Sequence, residues 1–264
     1  MARRPLGAAL ACSMVALSAV AAVAKPSGGG AIATIDPGNI SGVWISGNFD
    51  APRVNGRPQG RPGSAVQTLP KDADGAPVPM QPWAEELLLK RMQDAKDGHP
   101  FAHTKSRCLP AGLPKSMDPP ASLPIQLLVT PGQVTVLFEE FNDFRIIRMG
   151  GKHDPDADPG YFGDSVGHWE GRTLVVDTVG LTTATTLDSI GLPHSDAMHI
   201  VERYRRTGDT LEILLTIDDP KAFTRSWTMR SILKTKPGLS LGEYFCENDR
   251  NTPDETGRTG IRLK

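Results

Sequence analysis

From residue 123 onward, apolar and polar positions alternate with a period of two, broken at short intervals by turn dipeptides. LPIQLLVT, Pro131-Gly132, QVTVLFEEF, Asn142-Asp143 and FRIIRMGG read as a three-strand meander. SVGHW and RTLVVDTVGL follow, joined by Glu170-Gly171. MHIVERYRR and TLEILLTIDD come next, joined by Thr207-Gly208-Asp209. FTRSWTMRSILKT and LSLGEYFCEND are joined by Pro237-Gly238. With ISGVWISGNF from Ile40, the pattern predicts about ten short strands, a mainly β chain. An antiparallel meander closed into a β-barrel of about 8–10 strands is the expected architecture, because closure removes exposed edges. A sandwich or a propeller is the alternative, and no internal repeat favours the latter.

One stretch breaks the period. PWAEELLLKRMQDAKDG, residues 82–98, puts Ala84, Leu88, Met92 and Ala95 on one stripe, with Pro82 at its start and Gly98 at its stop. It predicts one helix flanking the sheet. Residues 51–81 are rich in Gly, Pro and polar residues without periodicity and read as an irregular excursion. The division expected is a signal peptide over 1–24, a flexible leader over 25–39, one barrel domain over 40–250 and a polar tail over 251–264. The signal rests on two early arginines, an apolar run, and Ala22-Val23-Ala24 as the cleavage site. It places the protein in the periplasm or outside the cell. A membrane anchor is the rival reading.

Composition narrows the partners. The formal charge of -1 implies no sequence-wide attraction to nucleic acid or acidic lipid. No later apolar stretch is long enough for stable membrane insertion. A small-molecule ligand or substrate is the expected partner. Of three cysteines, Cys12 leaves with the signal, so Cys108 and Cys246 are expected to form a disulfide in an oxidising compartment. The loop closed would stabilise the fold by roughly 4–5 kcal/mol in the chain-entropy model.

Gly42-Val43-Trp44 on the first strand, followed by a meander, resembles the opening of the lipocalin-like (calycin) barrels. RCLPAGLP, TPGQVTVLFEEFNDFRIIRM, SVGHWEGRTLVVDT, GLPHSDAMHIVERYRR, TIDDPKAFTRSW and EYFCEN resemble a group of secreted bacterial proteins over residues 80–250. That resemblance implies export and a β-rich domain and carries no activity with it. Asp164 departs from the pattern, which has His before Ser165.

Candidate chemistry collects around the 191–219 hairpin. Alternation sends Met198, Ile200, Glu202 and Tyr204 one way and His199, Val201, Arg203 and Arg205 the other. His194 and Asp196 precede the strand at a spacing that permits a carboxylate to orient an imidazole, the arrangement of a general base. Glu202 or His153 would be the second proton carrier. Arg145 or Arg203 would steady developing negative charge. Tyr204, Trp44 and Trp227 would wall a substrate pocket. Each has a plainer use as a strand, turn or core residue.

No cofactor fingerprint and no Gly-x-Ser-x-Gly elbow is present. DPDADPG fails as an EF-hand, with Pro159 and Ser165 at the positions that need Gly and Glu. No zinc spacing surrounds His153 or His168, so neither a metal nor a cofactor is expected. The expectation is an exported small-molecule enzyme of lyase, isomerase or hydrolase type, working by His/carboxylate proton transfer on an apolar, aromatic or glycosidic substrate in a barrel pocket. The alternative is a non-catalytic periplasmic lipocalin-like binding protein for a hydrophobic ligand. A structural envelope protein is a third reading.

Overall fold

The computed structural model describes residues 36–47, 53–54, 57–58, 69–117, 123–244 and 246. The signal peptide, most of the leader, residues 51–52, 55–56 and 59–68 of the excursion, and the polar tail lie outside the described residues. Strands β1 (Gly42–Ser46), β4 (Ile125–Thr130), β5 (Gln133–Phe138), β6 (Phe144–Met149), β7 (Asp164–Glu170), β8 (Thr173–Val179), β9 (His199–Thr207), β10 (Thr210–Asp218) and β11 (Trp227–Lys234) form a closed barrel in the order β1-β11-β10-β9-β8-β7-β6-β5-β4. β2 (Arg53–Val54) and β3 (Arg57–Pro58) pair with each other apart from it. The expected mainly β barrel with one helix is what the chain forms.

Parity shapes the ring. Nine strands cannot alternate direction all the way round, so at least one neighbouring pair must run parallel. That pair is β6 and β7, with Arg148 beside Val166 and Met149 beside Gly167. Parallel neighbours need a long crossover rather than a tight turn, and residues 150–163 supply it along the outer wall. The crossover enters β7 at Gly163 in a left-handed conformation, where a Cβ would meet the Val179 carbonyl oxygen at 2.3 Å. At Gly167 a Cβ would stand 2.9 Å from the Ile147 side chain, so the close β6–β7 approach requires glycine.

The expected strand at LSLGEYFCEND does not form: 239–244 and 246 lie outside the barrel strands. The reason is closure. β1 already pairs with both β11 and β4, leaving no edge for a further strand. QVTVLFEEF also ends early, at Phe138, because Glu140–Asn142 turn in a short 3-10 segment with Phe141 at φ 65°.

Helix α1 (Pro82–Lys96) buries Ala84, Leu88 and Met92 of the predicted stripe, while Ala95, in its last turn, is half-buried. Trp83 Nε1 donates to the Lys221 carbonyl at 2.7 Å, and the Arg91 guanidinium donates to the Gly191 carbonyl. These contacts dock α1 on the β10–β11 and β8–β9 connections, at the barrel end where β9 begins. The Cys108–Cys246 disulfide is formed, with Cα atoms 5.6 Å apart.

Inward side chains fill the lumen. Trp44, Ile125, Leu127, Val134, Val136, Ile147, Leu174, Val176, Ile200, Leu211, Ile213, Leu215, Ile217 and Leu233 belong to one buried cluster. The expected ligand-holding lumen is therefore corrected: alternation on eight of the nine strands points bulky groups to the axis, and they occupy it.

Candidate functional site

Strands β7, β8 and β9 are adjacent, and each carries polar residues on both faces. Alternation sends Ser165, Thr178, Glu202 and Tyr204 inward, and Asp164, Asp177 and His199 outward. Two polar assemblies result, back to back through one wall.

The inner assembly centres on Arg145 of β6, 2% exposed, and Glu202, fully buried. Arg145 Nη1 and Nη2 donate to Glu202 Oε1 and Oε2 at 3.1 and 2.5 Å, a bidentate pair. Nε and Nη2 also donate to Ser165 Oγ, and Nη2 to Thr178 Oγ1. Tyr204 donates its hydroxyl to Glu202 Oε1 at 3.0 Å. Burial works against the guanidinium's charge, yet Glu202 and then Tyr204 hold it, and its pKa stands above the ordinary value. The Tyr204 hydroxyl is pushed well above its ordinary range by burial and then by Glu202. A buried pair this fully satisfied pins four strands together.

The outer assembly is a chain of alternating acids and imidazoles. His153, on the crossover, donates from Nδ1 to Asp164 Oδ2 at 3.0 Å and from Nε2 to Asp177 Oδ1 at 2.8 Å. Both nitrogens face carboxylates, so both carry protons and the ring is an imidazolium. Partial burial opposes that charge, but the hydrogen bonds to Asp177 and then Asp164 outweigh it, and the His153 pKa is raised. His199 Nε2 meets the other oxygen, Asp177 Oδ2, at 2.9 Å. Its Nδ1 has no hydrogen-bond partner among the described residues. Burial raises the Asp177 pKa, but the bonds from His199 and His153 prevail and lower it. Asp164 is likewise lowered against its burial, by the Asp154 amide, His153 and Arg148. Arg148 Nη2 lies 2.9 Å from Asp164.

The residues singled out from the sequence divide between these and other places. Asp196 does not meet His194. It is exposed, 2.7 Å from Lys221 Nζ, because the turn at 195–198 points it outward. Its pKa is lowered by that lysine. His194, 6% exposed, donates from Nδ1 to the Ser195 carbonyl and accepts at Nε2 from Thr185 Oγ1 at 2.9 Å. Burial lowers its pKa, against the Ser195 carbonyl and Asp219. Both nitrogens are engaged, so the ring knits the β8–β9 connection together. The carboxylate beside it is Asp219, which accepts from the Ser195 amide and hydroxyl, each at 2.6 Å.

Glu202, expected as a proton carrier, is locked on Arg145. Arg203 faces outward and pairs with Glu170 at 2.5 Å, by strand alternation. Tyr204 and Trp44 are buried, and Trp44 Nε1 donates to the Ile40 carbonyl at 2.9 Å. Trp227 is buried against Phe223. Arg145, Tyr204, Trp44 and Trp227 thus line core rather than a ligand space. Of the expected proton carriers, only His153 sits in an accessible cluster.

Asp177 and His199 were not paired by sequence reasoning. Alternation within RTLVVDTVGL and MHIVERYRR does put both on the polar face, which is the available signal. No group of three or more His, Cys, Asp or Glu is arranged to hold a metal ion among the described residues. Compared with protein families, curated proteins and solved structures, the chain gives no match.

Proposed function

We propose that this chain is an exported protein that performs acid–base proton transfer on the outer wall of its barrel, with His199 as the group that takes and returns the proton. One observation carries the reading: Asp177 grips His199 Nε2 at 2.9 Å while Nδ1 stays unpaired among the described residues. A carboxylate on one nitrogen fixes the tautomer and leaves the other nitrogen facing outward to take a proton, the orienting half of a general base. Asp177 is steadied in turn by His153, and His153 by Asp164. His153 is a positioning residue: its protons are committed to the two carboxylates.

The outward face of this site favours a substrate group presented on an open surface rather than one engulfed by the barrel. Lyase, isomerase and hydrolase chemistry all begin with such a proton transfer. The leader pattern and the Cys108–Cys246 bridge support export to the periplasm or beyond. A binding role for a hydrophobic ligand draws less support, because the lumen is filled by side chains.

The test is a panel of activated esters, aryl glycosides and β-elimination substrates, assayed with wild type and three variants. His199→Ala is expected to lower the rate by about 10²- to 10⁴-fold and Asp177→Asn to follow it. His194→Ala, if folded, should keep the rate. A panel with no turnover, or turnover indifferent to His199, overturns the reading.

A further inference from the structure

The β6–β7 crossover is anchored at both ends and slack between them. The Gly150 amide donates to the Gly167 carbonyl at 2.8 Å. The Gly160 amide donates to the Gly180 carbonyl at 3.0 Å, and the Gly160 carbonyl accepts from the Thr182 amide at 2.9 Å. Of residues 151–159 only His153 is not exposed, so no apolar burial holds the segment down. Gly150 and Gly151 are both left-handed, at φ 79° and 90°, with open space where a Cβ would stand, and they give the segment a pivot.

Among the described residues, what holds the segment is polar and gathered at 152–154. Arg148 Nη2 donates to the Lys152 carbonyl at 3.2 Å, and the Asp154 amide donates to Asp164 Oδ2 at 2.9 Å. The His153 ring supplies two more bonds, to Asp164 of β7 and Asp177 of β8. Only the second of these reaches β8. The bonds from the Asp156 and Ala157 amides to Asp154 are internal to the segment.

We propose that residues 151–159 form a proton-operated latch: His153 clamps them onto β7 and β8 while its ring carries two protons, and releases them when it loses one to solvent. A neutral imidazole has a single N–H. It donates to Asp164 or to Asp177, and its bare nitrogen then faces the other carboxylate, lone pair against lone pair. The latch regulates the site proposed above, and it rests on that reading only for its effect on turnover. On release Asp177 keeps one imidazole partner of two and holds His199 less firmly.

The charged groups facing His153 are Asp164 with its partner Arg148 of β6, Asp177 with its partner His199 of β9, and Lys152 and Asp154 on either side of it in the segment. Partial burial opposes the charge on the ring, but the bonds to Asp177 and then Asp164 outweigh it and raise its pKa. The clamped form thus binds the proton more tightly than the released one. Release grows by up to about tenfold per pH unit above the free imidazole value near 6.5 and levels off above the raised value.

The experiment is limited digestion of the full chain by a lysine-specific endoproteinase between about pH 6 and 9. Cleavage after Lys152 is read against cleavage after Lys221, an exposed lysine in the β10–β11 connection. Proteolysis needs the segment freed from the wall, so the ratio should rise by about tenfold or more across that range in wild type. His153→Arg keeps its charge at every pH and has donors for both carboxylates, so its ratio should stay low. His153→Gln should start at the alkaline ratio of wild type. Ring-nitrogen NMR of wild type needs no variant: loss of the second His153 proton should track the ratio. A flat wild-type ratio, an equal rise in His153→Arg, or a ring that titrates while the ratio stands still each overturns the proposal. For any substrate turned over, the rate should fall as the ratio rises. Release without turnover of any substrate would support the latch and overturn only the His199 reading; turnover indifferent to release would overturn the latch's control of the site.

Discussion

The two faces of the β7–β9 wall hold the same kind of interaction in opposite circumstances. Inside, Glu202 meets a guanidinium and both are buried; outside, Asp177 meets two imidazoles, and both it and His199 are open to solvent. Both assemblies spread over several strands and both use carboxylates as hubs. The difference is which groups can change charge. Arg145 cannot lose its proton in a protein and Glu202 is gripped at both oxygens, so the inner pair is a fixed fastening. The outer chain has a free imidazole nitrogen at its end and solvent beside it, so it can exchange protons. Burial and the choice of cation, rather than the presence of a His or Glu, separate the fastening from the reactive group.

The sharpest way to break that contrast is Glu202→Leu. Leaving Arg145 buried and unpaired should cost about 3–5 kcal/mol of stability, read by urea unfolding. Arg145→Met combined with Glu202→Leu should recover most of the loss, since no uncompensated charge remains. A single variant as stable as wild type would show that the inner pair is no fastening.

A smaller effect is expected outside. His153→Gln should cost about 0.5–1 kcal/mol near neutral pH, the range of partly exposed ion pairs. The pH dependence has a defined sign. The His153 pKa is raised on folding. Its contribution is therefore full below the free imidazole value near 6.5 and is lost as pH rises through the raised folded value. Asp164 and Asp177 are lowered on folding. Their contribution is present above the ordinary carboxylate range near 4 and is lost as pH falls through their lowered values. Thermal melts across pH should show a plateau between these limits whose alkaline shoulder disappears in His153→Gln. A shoulder that persists would detach His153 from the effect.

The smallest effect is expected at Asp196. Its pairing with Lys221 lies in open solvent, so Asp196→Ala should leave the melting midpoint unchanged within error. A clear loss would mean that the 195–198 turn depends on that contact after all.

Much of the barrel was legible because period-two alternation records which face of a strand is buried. That pattern placed all nine barrel strands, six of them within two residues at each end and β1, β5 and β11 three or four residues too long. The inner pair was not read from it: Glu202 falls in one set with Ile200 and Tyr204, but on β6 the face opposite Arg145 and Ile147 holds Phe144 and Ile146, which are exposed, so alternation alone does not say which face is inward. The outer chain was only half legible. Asp177 and His199 lie on predictable faces, but the register that makes them neighbours depends on strand order, which local pattern does not encode. His153 sits on a crossover with no periodicity at all. His194 and Asp196 misled because adjacency in an extended segment says nothing about which way each residue turns.

The odd strand count reaches beyond topology. Because the polypeptide must travel back once over its own wall, one panel of the drum wears a second layer of backbone like a strap. Its two ends are tied down, by Gly150 to Gly167 and by Gly160, Tyr161 and Gly163 to the neighbouring chain. The stretch between them, residues 151–159, is thus where this architecture can trade one surface chemistry for another without rebuilding the cylinder.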